Sequence, residues 1–118
     1  MNPFSHSWLR PEWPALPRVR AVMTDRRGGV SQAPWDSMNL GDHVGDHMTS
    51  VQANRQRLRE AIGVRPVFLK QVHGVDTIVL DASSQDGAEA DACLTTGTQV
   101  ACTIMVADCL PVLMCDAS

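Results

Sequence analysis

An α/β (α+β) fold with one main helix and a mixed sheet is the class this sequence predicts, and three observations carry it. One stretch, Met48 to Ile62, repeats its apolar residues with helical period: Val51, Leu58, Ala61 and Ile62 share a face, while Gln52, Arg55 and Arg59 fall off it. Several short apolar runs, bounded by turn formers, have the length and composition of strands. The inventory is also unbalanced, because one helix cannot cover both faces of a sheet of five or six strands. The chain therefore reads as the N-terminal part of a larger domain.

Residues 1–17 carry Pro3, Pro11, Pro14 and Pro17, which exclude regular helix and predict an extended lead-in to a domain spanning 18–118. Val19 to Thr24 suits a strand, closed by Asp25-Arg26-Arg27 and the Gly28-Gly29 turn. Ser31 to Gly45 is rich in turn formers, and so long a loop in a small domain points to a functional role. Asp46 precedes the helix as a cap or dipole partner, and Gly63 follows it as a stop. Strands are expected at Val67 to Val72, Val75 to Leu80, Ala92 to Thr95, Val100 to Val106 and Leu110 to Cys115, with Ser83 to Ala90 as a polar connection. Val100 to Val106 lacks polar alternation and should be buried on both faces.

With 118 residues there is room for one domain with a modest core. A net charge of −3 without a basic cluster argues against a nucleic-acid partner, and Arg55, Arg57 and Arg59 read as one solvated helix face. No apolar run approaches the roughly 20 residues that cross a bilayer. The N-terminus has no secretory pattern, and Cys93, Cys102, Cys109 and Cys115 form no Cys-x-x-Cys pair. A monomeric cytoplasmic protein with reduced thiols is the expectation.

Imidazole nitrogen and thiolate sulfur are donors that zinc prefers. His73, at the end of an apolar run and followed by Gly74, and Cys109, between Asp108 and a Leu110-Pro111 bend, are the candidates. Each also reads as an ordinary structural residue: a hydrogen-bonded histidine, a small buried thiol. Cys93, Cys102 and Cys115 lie within strand-like runs and read as core. His43 and His47 flank Gly45-Asp46, which interrupts any helix, and read as exposed or capping. Asp25 to Gly29 could offer backbone N–H groups and a guanidinium to an anion, or form a charged turn; it lacks the Gly-Lys-Ser/Thr ending of a Walker A loop.

Six motifs in order add to this reading: Thr24-Asp25-Arg26-Arg27-Gly28-Gly29-Val30-Ser31, Asn39-Leu40-Gly41-Asp42-His43-Val44-Gly45-Asp46, Val51 with Asn54-Arg55, Gln71-Val72-His73-Gly74, Ala90-Asp91-Ala92 and Ala107-Asp108-Cys109-Leu110-Pro111-Val112. Together they resemble the YfiH-like family, the laccase-domain group formerly called polyphenol oxidases and now regarded as purine nucleoside phosphorylases. The resemblance covers nearly all of 18–116. It implies a four-layer α/β/β/α sandwich about twice this length, of which this chain would be an incomplete N-terminal portion.

It also implies a zinc ion held by His73, Cys109 and a histidine of a downstream His-Ala-Gly-Trp-Arg-Gly motif that this sequence lacks. Phosphorolysis of adenosine, inosine, guanosine and methylthioadenosine, with adenosine deaminase activity, is the implied chemistry, and purine nucleosides and phosphate are the implied partners. His73, Cys109 and Asp108 are then the catalytic candidates, and Arg26, Arg27, Asn39 and Gln71 the substrate-binding ones. His47 departs from the acidic or amide residue the family commonly places there. Copper-dependent phenol oxidation, editing of cell-wall precursors and an inactive fragment are the alternatives. No His-x-His pair supports a multi-copper cluster here.

Overall fold

A computed structural model describes residues 7–14 and 17–116. Much of the expected lead-in, at 1–6 and 15–16, lies outside the described residues. In the remainder, Leu9 and Met23 exchange backbone hydrogen bonds of 2.9 and 2.8 Å in a single antiparallel bridge. That bridge is all that forms of the strand expected over Val19 to Thr24.

The helix forms where its periodicity places it, as α1, Met48–Ile62. Val51, Asn54 and Leu58 are its buried positions. Its first turn is closed by the His47 carbonyl, which accepts from the N–H groups of Ser50 and Val51 at 3.0 and 3.1 Å. His47 is thus the N-cap residue. Asp46, expected in that role, instead takes the His47 N–H on its own carboxylate at 2.7 Å. At the other end Gly63 has φ +81° and donates to the Arg59 carbonyl at 2.9 Å, a left-handed stop that glycine adopts without steric penalty.

The chain divides into two compact units, one of residues 1–57 with 110–118 and one of residues 58–109. In the first, the loop before α1 is held to the helix by side chains. Asn54, fully buried, accepts the Val30 N–H at 2.8 Å and donates to the Ser31 hydroxyl and the Asn39 carbonyl at 2.9 and 2.8 Å. Arg55 donates to the Leu40 carbonyl at 2.9 Å, and Arg57 to that of Gly28 at 2.8 Å. The expected solvated arginine face holds for Arg57 and Arg59, which are exposed, and is corrected for Arg55, whose side chain is 17% exposed and ties down a loop carbonyl. Residues 110–116 form no strand, contrary to expectation. A strand exists by pairing, Pro111 has no N–H to give, and Leu110 and Met114 stand 87% and 88% exposed.

The second unit holds β1 (Arg65–Phe68), β2 (Thr77–Val79), β3 (Ala92–Leu94) and β4 (Val100–Thr103). β1 pairs with β4 and β2 with β3, both parallel. Val67, Leu80 and Val100 make the core, with Ile78 and Cys93 packed against it. These elements are shorter than the apolar runs predicted. Beyond Phe68 only Lys70 bridges, to Glu89, and beyond Thr103 the backbone of Met105 is claimed by a side chain described below. The free edge of β1 is closed by the polar connection: the Asp86 carboxylate accepts the Phe68 N–H and Gly87 donates to the Phe68 carbonyl, both at 2.9 Å. Burial of β4 on both faces is not observed. Val100 is buried, Ala101 and Thr103 are half-buried and Cys102 is exposed.

Candidate functional site

The loops that follow β1 and β4 carry the two sequence-predicted metal donors. Because the strands are parallel, both loops leave from the same end of the ladder, the carboxyl end at which open α/β sheets place their ligands. The paired register ends at Phe68↔Thr103, and His73 and Cys109 stand five and six residues further along their loops. Gln71 binds the loops together. Its amide donates to the Met105 carbonyl at 2.9 Å and accepts the Met105 N–H at 2.8 Å, replacing a ladder rung with a side chain.

His73 sits in the left-handed region at φ +57°, a conformation that costs an L-residue about 1–2 kcal/mol. Asp91, immediately before β3, holds it there. Its carboxylate accepts the N–H groups of Val72, His73 and Gly74 at 3.1, 2.8 and 2.7 Å. Those bonds, that of Gly74 foremost, keep the Asp91 carboxyl below the usual carboxylate range despite the loss of some water. A Cβ on Gly74 would come within 3.4 Å of the same carboxylate. Asp91 was visible in the sequence only as part of a motif. The signal that finds it is physical: three successive N–H groups in a turn need an acceptor, and the nearest strand begins with an aspartate.

The imidazole of His73 and the thiol of Cys109 are both exposed. The Cys109 thiol lies 3.9 Å from the Asp108 carboxylate. Imidazole nitrogen and thiolate sulfur are donors of the kind a tetrahedral zinc shell takes. Among the described residues no three His, Cys, Asp or Glu side chains gather into a group that could hold a metal ion.

The other substrate-binding candidates lie in the first unit. Arg26 donates to the Asp36 carbonyl at 2.7 Å and pairs with its carboxylate at 3.3 Å. Arg27 pairs with Asp25 at 3.2 Å, and Asp25 also takes the Arg27 N–H at 2.9 Å. That is a charged turn whose amide is already satisfied, with both guanidinium groups exposed. Asn39 spends its amide within the loop, donating to the Gly41 carbonyl and the Asp46 carboxylate, each at 3.1 Å, and accepting the Gly41 N–H at 3.0 Å. Asp46 is also bonded by the Ser31 hydroxyl, which more than any other contact holds its carboxyl below the usual range.

Residues 20–118 match the family model described as multi-copper polyphenol oxidoreductase laccase. The chain belongs to this family. A Pseudomonas aeruginosa member named a purine nucleoside phosphorylase is 54% identical over 113 residues, covering 96% of this chain and 46% of that protein. The Escherichia coli purine nucleoside phosphorylase YfiH is 44% identical over 108 residues, covering 90% and 44%. Among solved structures, the Neisseria meningitidis protein NMB0706, of the family DUF152, superposes with a TM-score of 0.81 at 37% identity, over 86% of this chain and 42% of that one. YlmD from Geobacillus stearothermophilus gives 0.72 at 31% identity, over 80% and 39%. The fold is therefore the α+β fold of these proteins, and the chain spans less than half the length of each relative it matches.

Proposed function

We propose that this chain contributes His73 and Cys109 as two protein ligands of a zinc ion in a purine nucleoside phosphorylase site. The observation that supports it best is the pair of parallel strands whose carboxyl-end loops, clamped by Gln71 to Met105, carry an exposed imidazole and an exposed thiol. The names of the relatives supply the reaction class. In phosphorolysis inorganic phosphate attacks the sugar carbon of the glycosidic bond, and the products are a free purine base and a pentose 1-phosphate. Zinc bound there would supply a Lewis acid that stabilises developing negative charge.

The residues of this chain have separate tasks in that reading. His73 and Cys109 hold the ion, with Asp91 and Gln71 fixing the loop on which His73 stands. Asp108, exposed beside Cys109, is placed to orient the thiol or take a proton at its carboxylate. Arg26 and Arg27, exposed on their turn, are the groups available to a phosphate. Loss of ammonia from adenosine is proposed as a second reaction of the same site, and a cytoplasmic, monomeric enzyme as its setting.

The activity is assigned to a protein of the relatives' full length that carries these residues; the 118-residue chain alone is expected to be inactive. The test is release of hypoxanthine from inosine with inorganic phosphate, followed with zinc content. Cys109→Ala and His73→Ala should each remove zinc and turnover together. A Cys109→Ala protein that keeps both would refute the assignment. The family description favours a second reading, copper-dependent oxidation of phenols. Phenol oxidation by protein that contains copper and no zinc would establish that reading instead.

A further inference from the structure

Two cysteines outside the candidate site face each other across neighbouring strands. In the β1–β4 register Cys102 pairs with Val67, and it shares a strand face with Val100, two residues earlier. In the β2–β3 register Cys93 pairs with Ile78, and both pack against the cluster of Val67, Leu80 and Val100. The two cysteines therefore belong to the faces that meet at this core, and β3 lies against β4. Cys93 is half-buried while Cys102 opens to solvent at the rim. The core reading that the sequence suggested holds for Cys93, which packs on this cluster, and is corrected for Cys102, which is accessible.

The two thiols share a neighbour: Cys93 packs against the cluster that contains Val67, and Val67 is the register partner of Cys102. We infer that Cys93 and Cys102 form an oxidation site, a thiol pair that a hydroperoxide converts to a disulfide linking β3 to β4. The Cys93 thiolate attacks one peroxide oxygen, the O–O bond breaks, hydroxide leaves, and Cys93 becomes a sulfenic acid. The Cys102 sulfur then attacks the Cys93 sulfur, the S–O bond breaks, and the departing hydroxyl takes the Cys102 proton as water. Two thiols lose two protons and two electrons, one hydrogen peroxide is reduced to two waters, and a thiol reductant reverses the change.

Two donors stabilise the Cys93 thiolate, first the Cys102 thiol and then the Thr103 N–H, bringing Cys93 down to about 7, while sharing its proton pushes Cys102 up. Cys93 is the attacking sulfur and Cys102 the resolving one. Cys109 and Cys115 have no thiol partner of this kind; their sulfurs meet the Asp108 carboxylate and the Asp116 carbonyl.

The sequence makes the test clean. Cleavage before aspartate releases 91–107, which holds Cys93 and Cys102, separately from 108–115, which holds Cys109 and Cys115. After brief exposure of the chain to hydrogen peroxide and alkylation of the remaining thiols, mass spectrometry should find 91–107 unalkylated and two hydrogens lighter, and 108–115 alkylated twice. In Cys102→Ser the sulfenic acid should persist and be trapped by dimedone on Cys93. Alkylation of both cysteines of 91–107 to the same extent as those of 108–115, or a dominant disulfide that includes Cys109 or Cys115, would overturn the proposal.

Discussion

Asp91 shows how much one carboxylate can organise. Its bonds to three successive N–H groups set the turn on which His73 stands. Replacing it with alanine should leave these amides to water and speed their hydrogen exchange at least about tenfold. His73→Gly separates the two properties of that residue. It removes the imidazole yet relieves a backbone at φ +57°, so thermal stability should hold or rise slightly while any metal affinity falls. Asn54 answers to the opposite logic. Asn54→Ala leaves the Val30 N–H and the Asn39 carbonyl without their partner, at about 1–3 kcal/mol for each group that stays buried, and a urea midpoint should fall accordingly. Asp46 adds a pH dependence. Its carboxyl is held below the usual range in the folded chain, first by the Ser31 hydroxyl, so the unfolded chain binds its proton more readily. Its contribution is therefore complete above the ordinary carboxylate range and is lost as pH falls through the lower folded value. An NMR titration should find its midpoint below that of an exposed aspartate.

At the scale of elements, the loop from Gly28 to Asp46 is specified as tightly as the helix it packs on. A Cβ on Gly29 would lie 2.1 Å from the Ser37 carbonyl oxygen and 2.6 Å from the Asn54 side chain. Gly29→Ala should therefore cost more than about 3 kcal/mol, read as a lower melting temperature or loss of soluble protein. The helix was legible because both of its signals are local: a repeat of apolar residues, and a glycine at the stop. The strands were legible as apolar runs, though not in their lengths. Val67 to Val72 and Val100 to Val106 both give up their last rungs to side chains, to Asp91 in one case and Gln71 in the other. An apolar pattern carries no trace of such a substitution. Leu110 to Cys115 failed for a related reason, since composition records the propensity to pair but not whether a partner exists.

For the whole molecule, the candidate donors were legible as motif residues while their surroundings were not. The motifs named His73 and Cys109, and the parallel pairing of β1 with β4 sends the loops that carry them from the same end of the ladder. Gln71, read from the motif as a substrate group, holds the two loops together with its side-chain amide. The exposed apolar residues Val79, Leu94, Leu110 and Met114 accord with a chain that spans less than half of its relatives' length. The account rests on one claim, that an imidazole and a thiol from these two loops bind the same ion. Titration with cobalt(II), a spectroscopic stand-in for zinc, tests it most directly through thiolate-to-cobalt absorption. The account predicts a weak band that His73→Ala and Cys109→Ala each abolish and that Cys93→Ser leaves in place. A band that survives Cys109→Ala, or one that disappears with Cys93, would contradict it.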